Sequence, residues 1–360
     1  MINFFEGKKI LITGHTGFKG TWLLFMLNSL KAELYGYSLP LNDKDNELFI
    51  QSNANSIVKS YFGDISQQSS IQSVLDEVQP DIVIHLAAQA LVPKSFLNPI
   101  ETFSVNVLGT ANLLESSRKC KSVKSVLCIT TDKVYKNNEW LWKYREIDEL
   151  GGESDPYSAS KACAEFVIDS YRKNHHFLLG SNNNSQIITA RGGNVLGGGD
   201  FSERRLMPDI YRAHKNNSKI EIRSPHSIRP WQHVLDVLFG YLKLVRFCSN
   251  NSENFYIDKT KHCWNFGPDD LESKTTKDVV NAAKLYGLSP FVSIVENNIS
   301  ESGVLELDSS KSKKYLDWHN YLNFEETIKI TCEWYLDYLS NKNTSTIMKK
   351  QVNNYMKLCE

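Results

Sequence analysis

Lys9-Ile10-Leu11-Ile12-Thr13-Gly14-His15-Thr16-Gly17-Phe18-Lys19-Gly20 packs three signals into one short run. An apolar stretch of strand length ends at a glycine. A glycine-rich turn follows, and then a helical pattern with Phe18, Trp22, Met26 and Leu30 on one face. Glycine lets the backbone turn tightly and approach an anion held at the N-terminus of the helix. Glycine-rich turns are common, so the string alone says little. Its strand–loop–helix setting makes it a dinucleotide-binding loop. Gly14, Gly17, Phe18 and Gly20 are the predicted contacts. For His15, contact with a phosphate and a role in helix entry both stay open.

Outward from this loop, further strands are predicted over residues 33–37, 58–62, 82–86, 125–129 and 187–190, with a helix over 71–78 between the third and fourth. Residues 100–119 carry Phe103, Val107, Ala111 and Leu114 at helical spacing. A helix starting near Pro156 is predicted to bury Ala159, Ala162, Cys163, Phe166 and Val167. Alternating strands and helices define an α/β chain, a Rossmann-type doubly wound parallel sheet. Beyond Arg191 glycines cluster (192, 193, 197, 198 and 199) and polar irregular stretches such as residues 249–254 appear. The expected organisation is a dinucleotide-binding domain over 1–190, a smaller mixed C-terminal substrate lobe over 191–340, and a frayed polar extension over 341–360.

The bulk properties narrow the function. Lys plus Arg equals Asp plus Glu at 41 each among 360 residues, so no global field favours nucleic acid or an anionic membrane. No stretch approaches the ~20 apolar residues that span a bilayer, and the N-terminus lacks a signal-peptide pattern. Seven cysteines are scattered without a CxxC pair. They read as reduced thiols, with no disulfide framework and no metal site, and the expected setting is cytoplasmic.

Two further segments carry chemistry. Tyr157-Ser158-Ala159-Ser160-Lys161 sets a phenol and an ammonium one helical turn apart, so that the ammonium is expected to favour phenolate. Thr130-Thr131-Asp132-Lys133-Val134-Tyr135 ends a strand, at the sheet edge where open α/β folds bind ligands. A hydroxyl, a carboxyl and a second amine beside a Tyr/Lys pair exceed what simple hydride transfer needs. The second strand ends in Tyr37-Ser38-Leu39, with no carboxylate for a ribose 2′-hydroxyl and no arginine for a 2′-phosphate. That pattern favours NAD over NADP, with Lys19 or Lys44 as the cations left to reach a 2′-phosphate. Asp64 is either an acceptor for the adenine amino group or a helix cap. Ala87, followed by Ala88, is small enough to form a wall against a cofactor.

With these motifs, the chain resembles the extended short-chain dehydrogenase/reductase superfamily and, within it, the CDP-glucose 4,6-dehydratases. Two later strings join the resemblance: Arg191-Gly192-Gly193-Asn194-Val195-Leu196-Gly197-Gly198-Gly199-Asp200, and Arg223-Ser224-Pro225-His226-Ser227-Ile228-Arg229-Pro230-Trp231-Gln232-His233. The resemblance covers the chain up to about residue 339. It implies NAD as cofactor, CDP-glucose as substrate, and Thr131, Asp132, Lys133, Tyr157 and Lys161 as the catalytic set. Thr131 would hold the C4 hydroxyl and Asp132 would protonate the departing C6 hydroxyl. Lys133 stands where dTDP-glucose-type relatives carry a glutamate base; a base and a fixed cation beside the developing enolate are both open. Asn194 and Arg229 would meet the sugar and the diphosphate. Relatives pair the helices over 100–119 and 156–173 into a four-helix bundle, which implies a homodimer. A nucleotide-sugar 4-epimerase and a non-catalytic NAD-binding protein are the alternatives.

Overall fold

The computed structural model describes residues 1–179, 186–222, 224–250, 262–268, 273–294 and 304–359. Arg223, at the head of the second string, and residues 251–254 of the polar stretch lie outside them. Strands β1 (Lys9–Thr13), β2 (Glu33–Ser38), β3 (Lys59–Phe62), β4 (Ile82–His85), β5 (Ser125–Ile129) and β6 (Gln186–Gly192) form where the apolar runs predict them. Among the described residues they and Cys263–Phe266 make a seven-stranded parallel sheet. Its order runs from Cys263–Phe266 through β6, β5, β4, β1 and β2 to β3. The chain winds outward in both directions from β1, so a crevice opens where β1 and β4 diverge. Every residue of β4, β5 and β6 is buried, as expected for strands covered on both faces.

Helix α1 (Phe18–Ser29) was expected to bury one face. Instead Gly20 through Leu27 are all buried, because α1 lies between the sheet and helix α9 (Thr344–Leu358). That last helix replaces the frayed extension. Asn343 caps it by accepting from the Thr346 amide at 3.0 Å. Its Ile347, Met348, Val352 and Tyr355 are buried, and the Tyr355 hydroxyl donates to Asp236 at 2.7 Å.

Two more expectations change. The helical stretch over 100–119 is broken into Pro99–Phe103, a wide π turn at Ser104–Leu108, and α3 (Gly109–Lys119). Leu114 is buried as expected, beside Leu113, but the buried side before it is polar, with Thr102, Asn106 and Thr110, while Phe103, Val107 and Ala111 are only half-buried. On α4 (Pro156–Leu179), Ala162 is buried as predicted but Cys163 and Phe166 are exposed. The residues turned inward are Ser158, Ser160, Lys161, Ala164, Glu165 and Ile168. Polar groups from both helices meet each other there: Asn106 donates to Ser160 at 2.9 Å and to the Gln89 carbonyl at 3.0 Å.

Beyond β6 come α5 (Leu206–Lys215), α6 (Val234–Asn250), α7 (Thr276–Leu285) and α8 (Phe324–Leu339). Helix α6 is buried on nearly all sides. Trp231 and His233, just before it, belong to the core. No helix is long and apolar enough to cross a membrane among the described residues.

Candidate active site

Parallel pairing places the strand ends in register, Thr13 beside His85 and His85 beside Cys128. The loops that leave these strands therefore meet at one edge. Thr13 and His85 bond side chain to side chain at 2.7 Å, and the Ala87 amide donates to the Thr13 hydroxyl at 3.2 Å. Gly14 has φ +74° and passes so close to Ala87 that an added Cβ would sit 2.7 Å from its nitrogen. Only glycine combines that angle with that approach. Gly17 is the N-cap of α1 and no side chain caps the helix there. Gly20 lies directly against the Gly14 carbonyl. A narrow glycine cradle with an uncapped helix start fits a dinucleotide pyrophosphate. Phe18 borders the cradle, its ring tip against Gly197.

His15 turns away from the cradle. Its ring nitrogens meet Ser38 at 3.0 Å and Ser60 at 2.9 Å, and burial pushes it down to about 4. Both nitrogens being engaged, the side chain ties the loop to β2 and β3. Asp64 accepts from the Ser66 amide at 2.8 Å, but the next helix, α2 (Gln68–Val78), starts only at Gln68, so this is a turn and not a helix cap. Lys44 pairs with Glu203 at 2.9 Å. Burial and then the cations Arg205 and Lys161 push Lys19 down to about 8, against Asp132 and Asp200.

The edge of β5 carries the predicted reactive residues. Thr131 donates to Asp132 at 2.8 Å, and both are buried. Burial raises the Asp132 carboxyl above the usual range; Lys133, the Thr131 hydroxyl and Arg229 oppose this, and Glu153 adds to it. Tyr157 starts α4, which Asp155 caps by accepting from the Ser158 amide at 2.9 Å and its hydroxyl at 2.6 Å. The loop before it is tied to the Asp132–Val134 turn by the Gly151 and Gly152 amides, each 3.0 Å from the Val134 carbonyl. Lys161 donates to the Ile129 carbonyl at 3.0 Å, and burial lowers it to about 8. Tyr157 does not show the expected depression. Burial pushes its phenol up to about 12, with a hydrogen-bonding interaction with Thr131 acting against this. The protein alone keeps that proton in place.

Lys133 donates to Glu153 at 2.6 Å, with both side chains mostly buried. The carboxylate of Glu153 is therefore the partner that holds the Lys133 side chain at the edge of β5. Glu153 was not anticipated: no spacing rule links a loop glutamate to a strand end twenty residues back. Arg191 was quoted only as part of a string. It forms a buried ion pair with Glu165 at 2.8 Å, and Glu165 also accepts from Thr130 at 2.6 Å. Arg191 reaches the Tyr135 hydroxyl at 2.8 Å as well, so the network clamps both ends of the Thr131–Val134 turn. Arg229 is half-buried and close enough to act on Asp132. Asn194 lies beyond β6, its carbonyl accepting from the Gln232 amide at 3.1 Å. No group of three His, Cys, Asp or Glu suited to a metal occurs among the described residues.

A glycine cradle at β1 and a Tyr/Lys pair beside β5, on a doubly wound parallel sheet, define a nucleotide-dependent oxidoreductase fold of the short-chain dehydrogenase/reductase type. Residues 11–331 match the family model described as GDP-mannose 4,6 dehydratase. The chain belongs to this dehydratase family. It is 38% identical to the CDP-glucose 4,6-dehydratase of Salmonella typhimurium, over 98% of each chain. The UDP-glucose 4-epimerase of Thermotoga maritima with UDP-glucose shares the fold, at TM-score 0.77, 22% identity, 92% of this chain and 99% of that one. So does the dTDP-glucose 4,6-dehydratase of Bacillus anthracis in complex with NAD, at TM-score 0.75, 22% identity, 93% and 98%.

Proposed function

We propose that the protein is an NAD-dependent nucleotide-sugar 4,6-dehydratase that converts CDP-D-glucose to CDP-4-dehydro-6-deoxy-D-glucose. The observation that carries this reading is the buried, elevated carboxyl of Asp132 beside Thr131 and Tyr157. A carboxyl held above its ordinary range there has no use in simple oxidation or in 4-epimerisation. It is what the departure of a C6 hydroxyl requires. The 38% identity over nearly the full length of a CDP-glucose 4,6-dehydratase supports the substrate.

Thr131 aligns the C4 hydroxyl and Tyr157 accepts its proton. NAD, when bound, would supply the hydride acceptor for C4 and the hydride donor for C6, together with a positive charge on its nicotinamide ring. That charge, together with Lys161, would lower the Tyr157 phenol from its resting value. The C4 ketone acidifies C5, and the C5 proton passes to a base that exchanges with water, leaving an enolate for which Lys133 is either that base or a fixed cation. Asp132 protonates the C6 hydroxyl, which leaves as water. Gly14, Gly17, Phe18, Gly20, Ala87, Asp64 and the His15 backbone would line the cofactor. Asn194 and Arg229 would hold the sugar and diphosphate, the latter through a planar guanidinium suited to two phosphate oxygens. The missing arginine after β2 and the pairing of Lys44 with Glu203 support NAD over NADP.

The same reading includes a homodimer. Leu97 and Ile100 are each 80% exposed and Phe166 is 59% exposed, on the paired helical stretches before α3 and along α4. An apolar face of this kind suits a second copy of itself. The division at residue 190 into cofactor and substrate regions, and a cytoplasmic setting for the seven free thiols, are parts of the same proposal.

Incubation with NAD and CDP-glucose should generate a keto-sugar with its alkaline ultraviolet chromophore. CDP-galactose without that chromophore would replace the reading with epimerisation. Failure with every nucleoside-diphosphate glucose, while NAD still binds, would leave a cofactor-binding protein.

A further inference from the structure

Two buried polar atoms beside Gly192 and Gly193, at the C-terminal end of β6, have no hydrogen-bond partner among the described residues: the Tyr241 hydroxyl and Asp132 Oδ2. Tyr241 projects from α6 and is 0% exposed. A Cβ added to Gly192 would lie 2.9 Å from its oxygen, and one added to Gly193 would lie 3.1 Å from Asp132 Oδ2. The two consecutive glycines thus admit a hydroxyl at one and a carboxylate at the next. The ring is held in place by Phe266, packed edge-on at 5.4 Å. Burial, and then the charges of Tyr157 and Asp132, raise the phenol, so its proton stays on and the group remains a donor. A buried hydroxyl without a partner is destabilising, and phenylalanine would fill the same space without that penalty.

We propose that Tyr241 is a positioning residue for dehydration, whose hydroxyl donates to the Asp132 carboxylate formed when Asp132 protonates the departing C6 hydroxyl. This rests on the dehydratase reading above. In that step the Asp132 proton moves to the C6 oxygen, the C6–O bond breaks, and water leaves. The negative charge stays on Asp132, and Tyr241 keeps its own proton. Over the full turnover, the proton that Tyr157 gains from the C4 hydroxyl balances the one that Asp132 gives up.

The donor makes Asp132 a stronger acid by favouring its charged form. The other groups acting on this carboxyl are Thr131, Lys133, Glu153 and Arg229, together with Lys19 from α1 and Tyr157 from α4. All remain in Tyr241→Phe, so its effect isolates one hydroxyl.

The test uses the full-length Tyr241→Phe protein with NAD and CDP-glucose, in four measurements. Thermal unfolding should occur at or above the parental midpoint. Single-turnover oxidation at C4, followed as reduced nicotinamide, should keep its parental rate. Elimination should slow by roughly 10-fold, and its alkaline limb should move up by about one to two pH units, the worth of one hydrogen bond to a charged group. Finally, in an Asp132→Asn background the same change should add no further loss. Parental elimination with an unmoved limb would overturn the proposal. So would a slower elimination with an unmoved limb, or an equal loss on top of Asp132→Asn, since either marks a packing role. A parent protein that forms no keto-sugar refutes the dehydratase reading itself, which separates the two failures.

Discussion

Replacing Arg191 by methionine removes one half of a buried ion pair and leaves the other half in place. Arg191 is 2% exposed and Glu165 is 4% exposed. The guanidinium spans both carboxylate oxygens, at 2.8 and 3.0 Å. A buried carboxylate stripped of its partner destabilises a fold by ~3–5 kcal/mol, a large share of the ~5–15 kcal/mol that a domain typically has. The sign of the pH dependence should also reverse. In the parent, burial raises the Glu165 carboxyl, but Arg191 and Thr130 outweigh it and the folded value lies below 4.5. That stability is present above the unfolded value and lost as pH falls. Without Arg191, burial prevails and the folded value rises above 4.5, so the variant loses stability as pH rises. Urea unfolding at pH 5 and pH 8 should therefore show a larger penalty at pH 8. Adding Glu165→Leu should recover all but about 1–2 kcal/mol, the remainder reflecting the Thr130 hydroxyl left without its acceptor. A penalty under ~1 kcal/mol, or one equal at both pH values, would refute the reasoning.

Three further outcomes are expected. Asp132→Asn should leave C4 oxidation largely intact and slow water loss by ~10²–10⁴, so that reduced nicotinamide and 4-keto-glucose accumulate in rapid-quench samples; turnover at the parental rate would exclude Asp132 as the acid. Ile100→Glu or Phe166→Glu should yield monomers by light scattering, and a parent already at 41.1 kDa at micromolar concentration would exclude the dimer. Burial raises Asp236 from 3.8 to about 7, so it contributes stability that is present at low pH and lost between about pH 4 and 7; Asp236→Asn should flatten that slope in denaturation measured across this window.

The sheet and its reactive edge were legible in the sequence because both depend on local pattern. Apolar runs of strand length, a glycine turn and a Tyr/Lys spacing each state their geometry within a few residues. What escaped the reading is set by contacts between distant segments. The inner side of α4 turned out polar because Ser160 meets Asn106 from a π turn 54 residues earlier, and apolar periodicity cannot register such a partner. The polar composition of residues 341–360 hid a helix whose docking depends on Tyr355 and Asp236. Glu153 and Tyr241 reach the site from a loop and a helix with no motif of their own, and Arg191 from β6, where its string gave no sign of a buried ion pair. The Tyr/Lys spacing also predicted a lowered phenol, yet desolvation raises it in the protein alone, and Thr131 and Arg205 are the groups that oppose the rise.

The most direct test of 4,6-dehydration follows two hydrogens in one experiment. CDP-glucose carrying deuterium at C4 is turned over in ordinary water, and unlabelled CDP-glucose is turned over in deuterium oxide, with the products read by nuclear magnetic resonance and mass spectrometry. Internal hydride return predicts that the C4 deuterium is found at C6 of the product in the first reaction, and that solvent deuterium enters at C5 in the second. Loss of the C4 deuterium to water, or a product still carrying its C6 hydroxyl, would contradict the mechanism.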